Sequence, residues 1–208
     1  MMFLKFHSLD ENKQQRILNA AIKVYVQKGY DLASTNEIVK EAGISKGLLF
    51  HYFQNKKTLY LYVFDYCMGL VVTDFYEKVD MQEPDFFERM RHINLVKMEL
   101  LNRYPDLFRF LESAYLEMSS EIRPEFQERL KKFSESNTDQ LFAHLDTSKF
   151  KNGLDIQKAI KSVLWTFEGF SAEVLGRAKA MQLDQPDYEA AYKEADAYIE
   201  MFKRCFYK

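Results

Sequence analysis

The stretch STNEIVKEAGISKGLLFHYFQNKKTL, Ser34 to Leu59, holds two short helical patterns joined only by Gly43, Ile44 and Ser45. Ser34 followed by Glu37 is a capping-box pattern, Gly43 supplies the left-handed backbone that stops the first helix, and Ser45 can cap the second. Helices of about two turns are marginal alone in water. These two therefore need a partner, and the stripe Ile17, Ala20, Ala21, Val24 and Tyr25 on the preceding helix has the spacing to provide it. Ile38, Val39 and Ala42 face inward from the first short helix and Leu49 and Phe53 from the second, with Ile44 plugging the turn. A helical corner seated on a longer helix is the expected local structure.

The rest of the chain extends this reading. Its 208 residues contain only 7 Gly and 4 Pro, and no segment sustains the alternation of a strand, so the expected fold class is all-α with about nine helices. Ser8 with Glu11 reads as a capping box opening a helix that ends at Gly29, and a fourth helix begins near Asn55 and runs to about Asp80. Pro84, Pro105, Pro124 and Pro186 each stand where a first-turn proline opens a helix, because its missing N–H costs nothing there. No apolar run approaches the roughly 20 residues of a membrane span, and Cys67 and Cys205 are too few and too far apart for a metal site or disulfide framework. A cytoplasmic chain with no cofactor and no membrane partner is expected.

The net charge of −2 conceals an asymmetry. Residues 1–60 carry nine Lys and Arg against five Asp and Glu, a net +4, which leaves −6 on the remainder. A basic head on an acidic body places any polyanion at the head. With Leu49 pointing inward, a 100° step per residue turns Gly47 and His51 outward, with Leu48 and Phe50 on the flanks. Gly47 lets the backbone approach a surface closely. Around it Lys46, His51, Tyr52 and Lys56 offer groups that bond phosphate, and the helix N-terminus at Ser45 adds N–H donors. A second helix presented in this way fits a DNA major groove.

The segment ILNAAIKVYVQKGYDLASTNEIVKEAGISKGLLFHYFQNKKTL resembles the N-terminal domain of the tetracycline-repressor (TetR) family of bacterial regulators. The shared features are the paired alanines of the first helix, Gly29 with an aromatic after it, Ser34-Thr35, Ile38, Ala42 through Ser45, Gly47, Leu49-Phe50, Tyr52-Phe53 and Lys56. The resemblance implies a three-helix helix-turn-helix domain over 1–54 and a helical effector-binding and dimerisation domain over 55–208. It implies DNA contacts at Thr35, Asn36, Lys46, Gly47, Leu48, Phe50, His51, Tyr52 and Lys56. Leu48 stands where a small hydroxyl residue is frequent and Phe50 where Tyr is frequent, which shifts base reading toward Lys46 and apolar contacts with thymine methyls.

For the body, the resemblance implies a cavity for a small-molecule effector among helices from 84 to 181. Phe108, Glu112, Tyr115, Trp165 and Glu168 are the candidates to line it, and Glu117 is a further acidic candidate; aromatic and Met residues at helical spacing are otherwise core. Residues 155–180 show two faces: the stripe Ile156, Ala159, Ile160, Val163, Leu164 and Phe167, and a second set Trp165, Gly169, Ala172 and Gly176. Residues 187–206 carry a stripe that includes Tyr192 and Ile199. By resemblance these two helices form the four-helix interface of a homodimer, with Trp165, Gly169, Ala172, Gly176, Tyr192 and Ile199 in contact. The function implied is a ligand-responsive regulator, a repressor released from a palindromic double-stranded operator by its effector. An enzyme lacks support, since no phosphate-binding glycine loop, Gly-x-Ser-x-Gly or His-Glu-x-x-His is present. The remaining alternative is a helical interaction module of the same fold without specific DNA binding.

Overall fold

A computed structural model describes residues 3–208 apart from 116–118, 120, 182, 184 and 185, and apart from the side chains of 133–140 and 179. Glu117 therefore lies outside the described residues. Among those described the chain is all helical, with one isolated bridge, Phe150 to Tyr207, and no strand. Ten helices are present among the described residues: α1 Leu4–His7, α2 Glu11–Leu32, α3 Thr35–Ala42, α4 Lys46–Phe53, α5 Lys56–Lys78, α6 Phe86–Arg103, α7 Pro105–Tyr115, α8 Arg123–Leu141, α9 Ile156–Ala180 and α10 Tyr188–Phe206. The extra element is α1. Its presence moves the cap of α2 from Ser8 to Asp10, whose carboxylate accepts from the Lys13 N–H at 2.9 Å, while Ser8 closes α1 by donating to the Lys5 carbonyl.

Gly29 does not end α2 as expected. It kinks the helix at φ 67° and ψ −175°, a conformation open almost only to glycine, and helix resumes through Leu32. The other local expectations hold: Ser34 and Glu37 form the capping box, Gly43 is left-handed at φ 65°, and Ser45 caps α4. Asn55 caps α5 through the Thr58 N–H at 2.8 Å. Pro105 opens α7 and Pro124 follows the first residue of α8, but Pro84 and Pro186 precede caps made by Asp85 and Asp187.

The helices gather into two compact units, one of residues 1–73 with 104–135, the other of 74–103 with 136–208. This packing division differs from the expected domain boundary at 54/55. In the first unit α2 packs against α3 and, as extensively, against α7. Tyr25, Tyr60 and Phe110 meet there, with Tyr25 and Tyr60 centroids 4.8 Å apart and Tyr60 and Phe110 5.4 Å apart. Cys67 is buried in the same core, and burial pushes its thiol up to about 12, so it behaves as a packed apolar side chain.

In the second unit α10 lies along α6, and Phe86, Phe87, Met90, Phe150, Val163, Ile199 and Tyr207 form the core. Buried Arg89 donates to the carbonyls of Glu83, Leu141 and Ala143, so it satisfies the C-terminal end of α8. Buried Asp85 accepts from Lys149 Nζ at 2.7 Å, from the Tyr207 hydroxyl at 3.1 Å and from the Phe87 and Glu88 N–H groups. Burial alone would raise its pKa, but the hydrogen bonds from Lys149, Glu88 and Tyr207 outweigh it and hold the carboxyl below the ordinary value. A carboxyl depressed in the folded state contributes stability above its unfolded pKa and loses it as pH falls through the folded value. Asp85→Asn is therefore expected to lower the melting temperature at neutral pH and to narrow that gap below about pH 4. Melting curves from pH 7 to pH 3 check this, and equal gaps across the range would remove the assigned role.

Candidate nucleic-acid interface

The second short helix, α4, is held by three buried side chains, Leu49, Tyr52 and Phe53. Its opposite face is open. Lys46, Gly47 and His51 are exposed, and Leu48 and Phe50 are half-buried on the flanks. A Cβ built at Gly47 would meet nothing within 4 Å, so the absent side chain serves no packing purpose within this chain. Ser45 Oγ accepts from the Leu48 N–H at 3.2 Å, leaving the remaining first-turn N–H groups of α4 outside that bond. Lys46 Nζ lies 5.9 Å from the Phe50 ring centroid, a loose approach that leaves it solvated.

Thr35 and Asn36 occupy the first turn of α3, Thr35 half-buried and Asn36 exposed. Lys28 pairs with Glu37, and Lys23 with Glu41 at 2.6 Å, which fixes α3 against α2 on the solvent side. The hydrogen bond from Lys28 is the main cause holding the Glu37 carboxyl below its usual range.

One sequence-based assignment changes here, and the surroundings of another become defined. Tyr52 was expected among the outward groups, but it is 7% exposed. Phe6 of α1 covers it, with ring centroids 6.0 Å apart, and Phe6 itself is wholly buried against Phe53 and Tyr62. Lys56 was expected among the phosphate-bonding groups around Gly47; it is half-buried, with Nζ donating to the Asp31 carbonyl at 3.1 Å and lying 4.5 Å over the Tyr30 ring. Sequence reasoning passed over Phe6, whose only signal is its three-residue spacing from Phe3, and over Tyr30 as anything more than the aromatic after Gly29.

Residues 17–63 match the family model described as bacterial regulatory proteins, tetR family. Residues 17–63 thus carry a tetR-family N-terminal domain. Among curated relatives, the fatty acid metabolism regulator protein of Bacillus subtilis (strain 168) is 24% identical over 160 residues, covering 75% of this chain and 80% of that protein. Two solved structures share the fold. The fatty acid degradation regulator FadR of Bacillus halodurans has a TM-score of 0.68 at 21% identity, over 92% of this chain and 96% of that one. The transcriptional regulator FadR of Bacillus subtilis in complex with stearoyl-CoA has a TM-score of 0.61 at 20% identity, over 90% and 96%. The tetR-family match over the head and these relatives support a DNA-binding transcriptional regulator.

The residues expected in its body lie on α7 and α9. Phe108, Glu112 and Tyr115 follow one another along one side of α7, Phe108 and Glu112 half-buried and Tyr115 exposed. Trp165 and Glu168 are exposed on α9, with Lys161 Nζ 4.9 Å over the indole. Two open clefts of about 310 and 380 Å³ are lined by other residues, the first including Arg91, His92, Leu95 and Tyr192, the second including Asn12, Arg16 and Lys23. Gly169, Ala172 and Gly176 are exposed in line with Trp165 on α9, with open space at both glycines. Ile199 departs from the dimer assignment: it is 1% exposed and packs in this chain's own core. The outward face of α10 instead carries Ala190, Glu194, Ala197 and Met201.

Proposed function

We propose that the chain is a ligand-responsive repressor that binds a palindromic operator as a homodimer and is released by a small-molecule effector. The observation that carries the DNA-binding half of this reading is the open face of α4, where Gly47 leaves the backbone accessible between Lys46 and His51. One such short helix reads a half-site, so two-fold pairing supplies the second. The exposed row Trp165, Gly169, Ala172 and Gly176 supports α9 as the pairing face, since small residues let helices approach closely. Continuous aromatic packing from Tyr25 through Tyr60 to Phe110 supports coupling between α7 and the head. An acyl-CoA is the effector class to test first, in view of the stearoyl-CoA complex of the Bacillus subtilis relative.

Selection of bound duplexes from a random DNA pool tests the reading: an inverted repeat with half-sites about one helical turn apart is expected. Recovery of no sequence preference would favour the interaction-module alternative. Titrating stearoyl-CoA into the operator complex then tests release. Lys56→Ala is expected to weaken binding to all duplexes alike and to reduce the salt slope by about one, as loss of a phosphate contact requires. Binding measured on operator and unrelated DNA at several salt concentrations checks this, and a loss confined to the operator would make Lys56 a base reader.

A further inference from the structure

Lys56 is held at both ends. Its carbonyl accepts from the Tyr25 hydroxyl at 3.4 Å, its ammonium donates to the Asp31 carbonyl at 3.1 Å, and that ammonium sits 4.5 Å over the face of Tyr30. The platform beneath it is buried: Tyr30 is 1% exposed and packs edge-on against Tyr60, centroids 5.2 Å apart. Tyr60 in turn meets Tyr25 and Phe110. What delivers Tyr30 to this place is Gly29. Its left-handed φ of 67° breaks the course of α2, and the turn that follows carries both the ring and the Asp31 carbonyl to Lys56. A lysine ammonium has three donors. One goes to Asp31, and the half-buried residue retains donors for an anion.

A free lysine loses much rotamer freedom when it binds a phosphate, and a side chain already fixed by an aromatic face loses less. From this geometry we infer that Tyr30 is a positioning residue for DNA binding: with the Asp31 carbonyl it aims the Lys56 ammonium at a backbone phosphate, although Tyr30 is buried and touches no DNA. This rests on the reading of Lys56 as a phosphate contact. It assigns a DNA-binding consequence to a core position beside the helix-turn-helix.

The test uses the full chain and a random-sequence DNA duplex, because a phosphate contact is independent of sequence. Affinity against salt is measured for wild type, Lys56→Met, Tyr30→Leu, Tyr30→Phe and the Tyr30→Leu/Lys56→Met double variant, each with its melting curve. Lys56→Met is expected to lower the salt slope by about one and the affinity about fivefold to tenfold near 0.1 M salt. Tyr30→Leu, which keeps an apolar side chain but removes the π face, is expected to reproduce both changes, and Tyr30→Phe to restore wild-type values. The double variant is expected to bind no more weakly than Lys56→Met. A folded Tyr30→Leu with the wild-type slope, or losses that add in the double variant, overturns the inference. An unchanged slope in Lys56→Met overturns the phosphate contact itself, and the inference with it. If Tyr30→Leu does not fold, the proton spectrum of the wild type decides: ring current from Tyr30 is expected to move the Lys56 ε-methylene signals upfield of free lysine, and signals at the free position overturn the inference.

Discussion

Replacing Gly47 by leucine is expected to reduce operator affinity to the non-specific level, a loss of about 10³-fold or more, while the melting temperature stays level or rises. The two halves of that result have separate causes. Within the chain the new side chain enters open space, since no atom lies within 4 Å of a Cβ at Gly47. Glycine inside a helix is also less favourable than leucine by up to about 1 kcal/mol, so the substitution removes a local cost. Against DNA the same side chain stands on the face that must approach base edges, between Lys46 and His51, and holds α4 away from the groove. Parallel melting and binding measurements give the answer. An unfolded Gly47→Leu, or a folded one that binds its operator normally, would move the interface away from this face of α4.

Ala172→Arg is expected to split the dimer and, with it, specific DNA binding. Ala172 is exposed on α9 between Gly169 and Gly176, so an arginine there is solvated in a lone chain and leaves its fold untouched. In a paired α9 face it becomes a buried charge without a partner, at a cost of about 3–5 kcal/mol. Each 1.4 kcal/mol is about tenfold in an equilibrium constant, so dimer dissociation shifts by roughly 10²-fold to 10³-fold or more. A monomer reads one half-site, and operator affinity falls although no residue of α3 or α4 has changed. Mass in solution and operator binding are measured on the same sample. A monomeric wild type, or a monomeric variant with undiminished operator affinity, would leave α9 and α10 as closing elements of a single chain.

Local chemistry explains which features were legible beforehand. The capping box at Ser34 and Glu37, the left-handed Gly43 and the Ser45 cap are settled by residues within four positions of one another, and each forms as its pattern requires. The inward stripes of α2, α3 and α4 follow from helical period and polarity alone, and Ile17, Tyr25, Ile38, Leu49 and Phe53 are all buried. Where the reading went astray, an element distant or unforeseen had intervened. The Ser8 cap failed because α1 uses Ser8 to close its own end, which passes the start of α2 to Asp10.

Gly29, by contrast, was legible as a break but not as a kink, because whether a helix resumes after glycine depends on what the next side chain packs against, here Tyr60 beneath Tyr30. The sequence by itself determined α3 and α4, their caps and the inward stripes that seat them, since these depend on period and near neighbours. Tertiary structure alone decided that Phe6 would cover Tyr52, that Ile199 would turn into its own chain's core rather than outward, and that Lys56 would be tethered over Tyr30. The physical reason is that an amphipathic helix specifies which of its faces seeks cover but not which partner provides it, and that partner lies 46 residues away for Tyr52 and 26 for Lys56.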